Sequence, residues 1–143
     1  MRLPVVSRRV AVIALGAYSC FLAIVLLAPS SSDQSRAASV LVNLGRLVGF
    51  GDHATQARAE FIANALILMP VSALGSLVWA RSRWRDWTAW GFVLAGCVEL
   101  AQGIALSART ASFTDVVANT LGAMGGALFV AVMRALNLLA ERR

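Results

Sequence analysis

Four apolar runs decide what this chain can fold into. Each is close to the ~20 residues that a helix needs to cross ~30 Å of hydrocarbon at 1.5 Å per residue. They cover Val10 to Ala28, Phe61 to Ala80, Trp87 to Leu106 and Phe113 to Met133. Inside a bilayer every backbone N–H and C=O must be bonded within the protein, which a helix achieves along its own length. The expected fold class is therefore an all-α membrane protein with four transmembrane helices. The connections are too short to hold a separate soluble domain, so residues 1–143 read as one integral membrane domain. Composition agrees, since a chain that is 59% hydrophobic and 14% charged is unlike a soluble domain.

The net charge of +6 comes from 13 basic residues, every one an arginine. Their distribution speaks for topology and against nucleic acid as a partner. Arg2, Arg8 and Arg9 precede the first run, Arg81, Arg83 and Arg85 separate the second from the third, and Arg134, Arg142 and Arg143 follow the fourth. The positive-inside rule sends these nine to the cytoplasm and predicts both termini there. In the first connection Arg36, Arg46 and Arg58 are balanced by Asp33, Asp52 and Glu60, so it can lie outside. Trp79, Trp84, Trp87 and Trp90 flank the Arg81 to Arg85 loop, where amphipathic rings settle at headgroup level and support the same orientation.

The first run could also be read as a cleaved signal peptide. Its apolar core is longer than the ~7–15 residues of such a segment, which favours a retained helix. Cys20 and Cys97 both fall inside spans, where buried thiols act as small hydrophobes, and no disulfide is expected. His53 is the lone histidine and has no metal partner nearby. No cofactor motif or metal-ligand cluster is apparent.

Between the first two spans, Val40, Leu41, Leu44, Leu47 and Val48 recur with helical spacing. They predict a short amphipathic helix lying in the outer interface. In the second span Pro70 removes a backbone donor and bends the helix, and Ser72, Gly75 and Ser76 let a neighbour approach closely. Gly122 and Gly126 have the spacing that lets helix backbones touch, within the bundle or in a homo-oligomer or membrane-protein partner.

The residues that need most explanation are polar. Glu99 lies within the third span, and an ionised side chain there costs at least ~2.5–3.5 kcal/mol, so it must face the interior and find a partner. Gln102, three residues on, shares its face. The fourth span returns with Asp115 at its start and Asn119 one turn deeper, at a depth that matches Glu99, and Asn64 enters from the outer end of the second span. Arg109, in the connection, can reach back toward them. These six converge on the outer side and predict a polar pocket with Glu99 as its floor. Each also has a packing explanation. Asp115 closes a Ser-x-x-Asp capping box from Ser112, Asn64 and Asn119 can join helices, Arg109 can pair with Asp115 or a lipid phosphate, and a protonated Glu99 would be a buried hydrogen-bond donor.

The order Asn64, Pro70, Glu99-x-x-Gln102, Arg109, Asp115-x-x-x-Asn119 and Gly122 resembles the VanZ-like family of small bacterial membrane proteins. The similarity runs from about Glu60 to Phe129 and is strongest in "VELAQ" and "FTDVVANTLGAMGGAL". It implies a multi-span protein of the bacterial plasma membrane, from a family named after a member linked to resistance to the glycopeptide teicoplanin. Two departures stand out. Pro70-Val71-Ser72 replaces the family's Pro-x-Gly, and the family's early acidic and histidine-containing segment has no clear counterpart.

Three functional readings follow. The first is a non-catalytic protein that binds a polar lipid, a cell-wall precursor or a lipoglycopeptide through Asn64, Glu99, Gln102, Arg109, Asp115 and Asn119. Arginine suits phosphate, while carboxylates and amides suit sugar hydroxyls. The second is a structural or regulatory partner of a cell-envelope complex. The third is a hydrolase or transferase with Glu99 and Asp115 as acid and base, for which no nucleophile motif is present.

Overall fold

The computed structural model describes residues 7–26, 32–47, 49, 53, 55–105 and 112–141. These form five α-helices and no strand: α1 (Arg8–Leu26), α2 (Ser32–Leu47), α3 (Gln56–Val78), α4 (Trp84–Ala105) and α5 (Phe113–Glu141). Of these, α1, α3 and α5 are long and apolar enough to cross a membrane. The 22-residue α4 has the length but is less apolar, because Arg85, Asp86, Glu99 and Gln102 interrupt it.

Local chemistry sets several helix starts. Ser7 Oγ accepts the Val10 N–H at 3.4 Å ahead of α1, and Thr55 Oγ1 accepts the Arg58 N–H at 3.4 Å ahead of α3. The Thr55 cap explains why α3 begins more than a turn before the apolar run at Phe61. Asp86 Oδ2 accepts the Arg83 N–H at 2.8 Å, which starts α4 at Trp84 and not Trp87. At the other extreme α5 runs to Glu141, well past Met133, because the residues there are good helix formers without Gly or Pro.

The helices pack in alternating directions around α5, which contacts α3 and α4, while α1 and α2 lie against α3. α3 and α5 run parallel and touch through their backbones. A Cβ on Gly122 would collide with the Ala65 carbonyl, and one on Gly126 with the Met69 carbonyl and Ser72 Oγ. Two turns of α5 therefore seat directly on α3, and the Gly122 and Gly126 face is occupied within the chain. α4 runs antiparallel to both, with Gly91 against Ala123. On the far side, the Tyr18 hydroxyl of α1 donates to the Ile67 carbonyl at 2.8 Å, beside the point where Pro70 interrupts the ladder of α3.

The interior is inverted relative to a soluble protein. Among the described residues, Ser72 is the largest side chain that is fully buried, whereas Ile13, Ile24, Leu100, Ile104 and Phe129 face outward. Small and polar groups inside with large apolar groups outside are what a hydrocarbon solvent selects. Cys20 and Cys97 are free and belong to the outward set, so the buried position expected from the sequence is corrected: they lie on faces that no helix covers.

The short helix also appears. α2 packs Ala38 and Val42 against Ala59 of α3 and leaves Val40, Leu44 and Leu47 exposed. This apolar stripe faces away from the protein.

One end of the bundle gathers arginines. Arg8 of α1 donates to the Val78 carbonyl at 3.3 Å, and Arg134 of α5 donates to the Ser76 carbonyl at 2.6 Å and the Ala80 carbonyl at 3.4 Å. The last turn of α3 has carbonyls with no helical partner and the negative end of its dipole, and two guanidiniums satisfy both needs. At the same end the Trp87 indole occupies the space that a Gly75 side chain would fill and donates to Ser82 Oγ at 2.7 Å. Trp87 is thus a packing residue of the α3–α4 turn, while Trp79, Trp84 and Trp90 remain exposed.

Candidate functional site

The opposite end is formed by the close of α4 and the start of α5. Along α4, Gly91, Ala95, Glu99 and Gln102 are buried, while Leu100 and Ile104 are 63% and 79% exposed. The spacing of the buried set is one helical face, and it lies against α5. Polar residues inside and leucine and isoleucine outside are the reverse of what water would select.

Glu99 has a defined partner. Its Oε2 accepts the backbone N–H of Ser112 at 2.8 Å. Ser112 precedes α5 and caps it, since its Oγ accepts the Asp115 N–H at 3.4 Å and its carbonyl accepts the N–H groups of Asp115 and Val116 at 3.1 and 3.3 Å. The capping box expected from "SFTD" is therefore half local. Its serine side is present, but the Ser112 N–H that Asp115 would take in the reciprocal half is donated to a carboxylate from another helix. A carboxylate at a helix N-terminus also meets the positive end of the helix dipole.

Register sets the depth of the other members. From the Gly91–Ala123 contact, eight residues along α4 reach Glu99 and eight residues back along α5 reach Asp115, so these carboxylates share a level ~12 Å from that contact. Asn119 lies one turn deeper, level with Ala95. This corrects the expected depth match of Glu99 with Asn119, which came from counting each helix from its apolar boundary. From the Ala65–Gly122 contact, Asn64 is level with about Leu121, ~9 Å deeper than Asp115. Glu99, Gln102 and Asp115 thus lie toward the Ser112 end of the bundle, and the two asparagines mark a second level nearer its middle. Asn119 and Gln102 are 8% and 5% exposed, while Asn64 and Asp115 are half-buried. Arg109 lies outside the described residues.

Sequence reasoning missed three features. The Ser112 N–H as the acceptor-seeking group could have been anticipated, because the start of a helix that follows closely in sequence after a buried carboxylate is a ready partner. Arg134, taken only as a topological charge, is a cap on α3. The third is a cavity of about 350 Å³ that opens at the arginine end between Ser76, Ser82, Arg134 and the start of α4, and not where the polar pattern of α4 and α5 lies.

No curated protein and no solved structure matches the chain. The model of the VanZ/LLP1 family matches residues 15–134, a longer stretch than the Glu60 to Phe129 segment that carries the recognisable motif, and it takes in most of α1 and all of α2. The polar face of α4, the capped start of α5 and the glycine seam all fall within that match, and this membrane protein belongs to the VanZ/LLP1 family.

Proposed function

We propose that the chain is a four-pass protein of the bacterial plasma membrane that binds the polar part of a lipid or lipid-linked molecule at the Ser112 end, without chemistry. In this reading α4 crosses with the other three helices. The arginine end, with Arg8, Arg81, Arg83, Arg85 and Arg134, faces the cytoplasm, as the positive-inside rule requires. The Ser112 end then faces outward, and the exposed stripe of Val40, Leu44 and Leu47 lies on the outer interface.

The observation that carries the proposal is the burial of Glu99, Gln102 and Asn119 on two helices whose exposed side chains here include Leu100, Ile104, Phe113 and Leu121. Carboxylate and amide groups at two levels suit the hydroxyls of a sugar or glycerol, and Arg109 in the adjoining connection suits a phosphate. Polar lipids, undecaprenyl-linked cell-wall precursors and lipoglycopeptides such as teicoplanin share these features. A role in glycopeptide resistance would follow from retention of the last class.

The Glu99–Ser112 bond favours a second reading, in which the polar residues only lock the bundle as part of a membrane complex. Glu99→Gln separates the two, because its side-chain carbonyl still accepts the Ser112 N–H but its charge is gone. Native mass spectrometry of the detergent-purified chain should find a lipid-class ligand that is lost in Glu99→Gln and Arg109→Ala while the unfolding midpoint of each variant stays near wild type. Equal ligand retention by all three would refute the binding site and leave the locking role.

A further inference from the structure

The cavity at the arginine end is independent of the site above and lies at the other side of the bundle. Arg83, Arg85 and Arg134 line it, with Ser76, Ser82 and Trp84, and its inner wall is made by Ala127 and Ala131 of α5. Its volume of about 350 Å³ falls within the ~300–1,000 Å³ of small-ligand sites.

Four features make it a place for an anion. No carboxylate is among its described lining residues, and the nearby acid, Asp86, is turned to the Arg83 N–H at 2.8 Å. Three arginines therefore line the cavity with no carboxylate among its described lining residues. Arg134 has part of its five-donor fork committed to the Ser76 and Ala80 carbonyls, which fixes its position, and Arg85 is held over the Trp84 ring at 5.3 Å. The first turn of α4 begins here, and the N–H groups of Trp84 and Arg85 have no acceptor among the described residues. Finally, the Ser76 hydroxyl is 4% exposed and has no hydrogen-bond partner among the described residues, although buried polar groups are normally satisfied.

We infer that this cavity binds a phosphate group, with Arg83 and Arg85 as charged ligands, the start of α4 as a dipolar one and Ser76 as a hydroxyl donor. The exposed rings of Trp79, Trp84 and Trp90 put the cavity at headgroup level, so the phosphodiester of an anionic phospholipid is the expected occupant. Phosphate from the aqueous side has the same chemistry and is tested beside it.

The full-length chain in a neutral detergent would be titrated with phosphatidylglycerol and, separately, with inorganic phosphate, followed by native mass spectrometry and tryptophan fluorescence. Saturable binding is expected, weakened about fivefold by Arg83→Gln or by Arg85→Gln, the loss that corresponds to ~1 kcal/mol per arginine at a membrane surface. Both side chains are exposed, so neither change should disturb folding. Arg81→Gln, in the same loop but off the cavity lining, should leave binding unchanged. Lipid binding that phosphate does not displace assigns the headgroup, and phosphate binding with the same arginine dependence but no lipid uptake assigns the aqueous source. Equal losses with Arg81→Gln, or no saturable binding of either probe, would overturn the site.

Discussion

The contact between α3 and α5 makes a quantitative prediction for glycine-to-alanine changes. At Gly122 the new methyl would land on the Ala65 carbonyl oxygen, and at Gly126 on the Met69 carbonyl. Both obstacles are backbone inside a long helix and cannot swing away. Restoring an ordinary ~3.5 Å contact requires the helices to part by at least ~1 Å, which opens the seam along its length. Overpacking costs ~1–3 kcal/mol, and an obstacle of fixed backbone belongs to the upper half of that range; alanine recovers up to ~1 kcal/mol in helix propensity, so a net loss of ~1–2 kcal/mol is expected for either variant. Gly125 is different, because its Cβ would lie 3.3 Å from the Met69 Cε, the movable tip of a flexible side chain, and Gly96 has nothing within 4 Å. Gly125→Ala should be near neutral and Gly96→Ala stabilising by up to ~1 kcal/mol. Combining Gly122→Ala with Gly126→Ala should cost less than the sum, since the first change has already separated the helices. Equilibrium unfolding of the purified chain in mixed micelles, titrated with denaturing detergent, ranks all five variants. If Gly122→Ala were as stable as Gly96→Ala, backbone contact would not be what holds α3 to α5.

Three further outcomes follow from single contacts. Glu99→Ala strands the Ser112 N–H and should lower stability by ~1–3 kcal/mol in the same titration, whereas Glu99→Gln should cost less than half as much. Arg134→Met removes a charged donor from two carbonyls at the end of α3 and should cost ~1.5–3 kcal/mol, with Arg134→Lys recovering part of the loss; an unchanged midpoint would remove Arg134 as a cap. For orientation, a membrane-impermeant maleimide should label Ser112→Cys in intact cells and Arg83→Cys only after permeabilisation, while Cys20 and Cys97, on lipid-facing surfaces, stay unlabelled in both; the reverse pattern would invert the topology.

Much of this architecture is legible in the sequence because it depends on one-dimensional signals. The apolar runs locate α1, α3, α4 and α5, the spacing of Val40, Leu44 and Leu47 locates the stripe of α2, and the glycine pair marks a backbone contact. What the sequence cannot convey is relative register. Counting from the apolar boundaries puts Glu99 beside Asn119, but the Gly91–Ala123 contact moves α4 by a turn and puts Glu99 beside the start of α5. Helix ends fail for a related reason: Thr55, Asp86 and the long tail of α5 extend helices through polar residues that a hydropathy boundary excludes. Cys20 and Cys97 show the same limit, because an apolar run does not say which of its faces a neighbour will cover.

The partner of Glu99 ties the two readings of the Ser112 end together. Most helices close their first turn with groups from their own sequence, and "SFTD" is built to do so, yet here the Ser112 N–H belongs to a carboxylate on α4. A ligand hydroxyl that takes the place of that N–H on Oε2 of Glu99 displaces a carboxylate–amide bond that contributes ~1.5–3 kcal/mol, whereas one bound elsewhere on the carboxylate does not. Breaking that bond on binding would weaken affinity by about tenfold to a hundredfold relative to a carboxylate held in place by nothing else. Binding at Glu99 and order at the start of α5 are therefore linked: occupancy should either loosen the first turn of α5, or use the remaining capacity of the carboxylate and tighten it. Amide hydrogen exchange at Ser112 to Val116 distinguishes these, since exchange that rises or falls with ligand reports the linkage, and exchange indifferent to ligand would mean that Glu99 serves α5 alone.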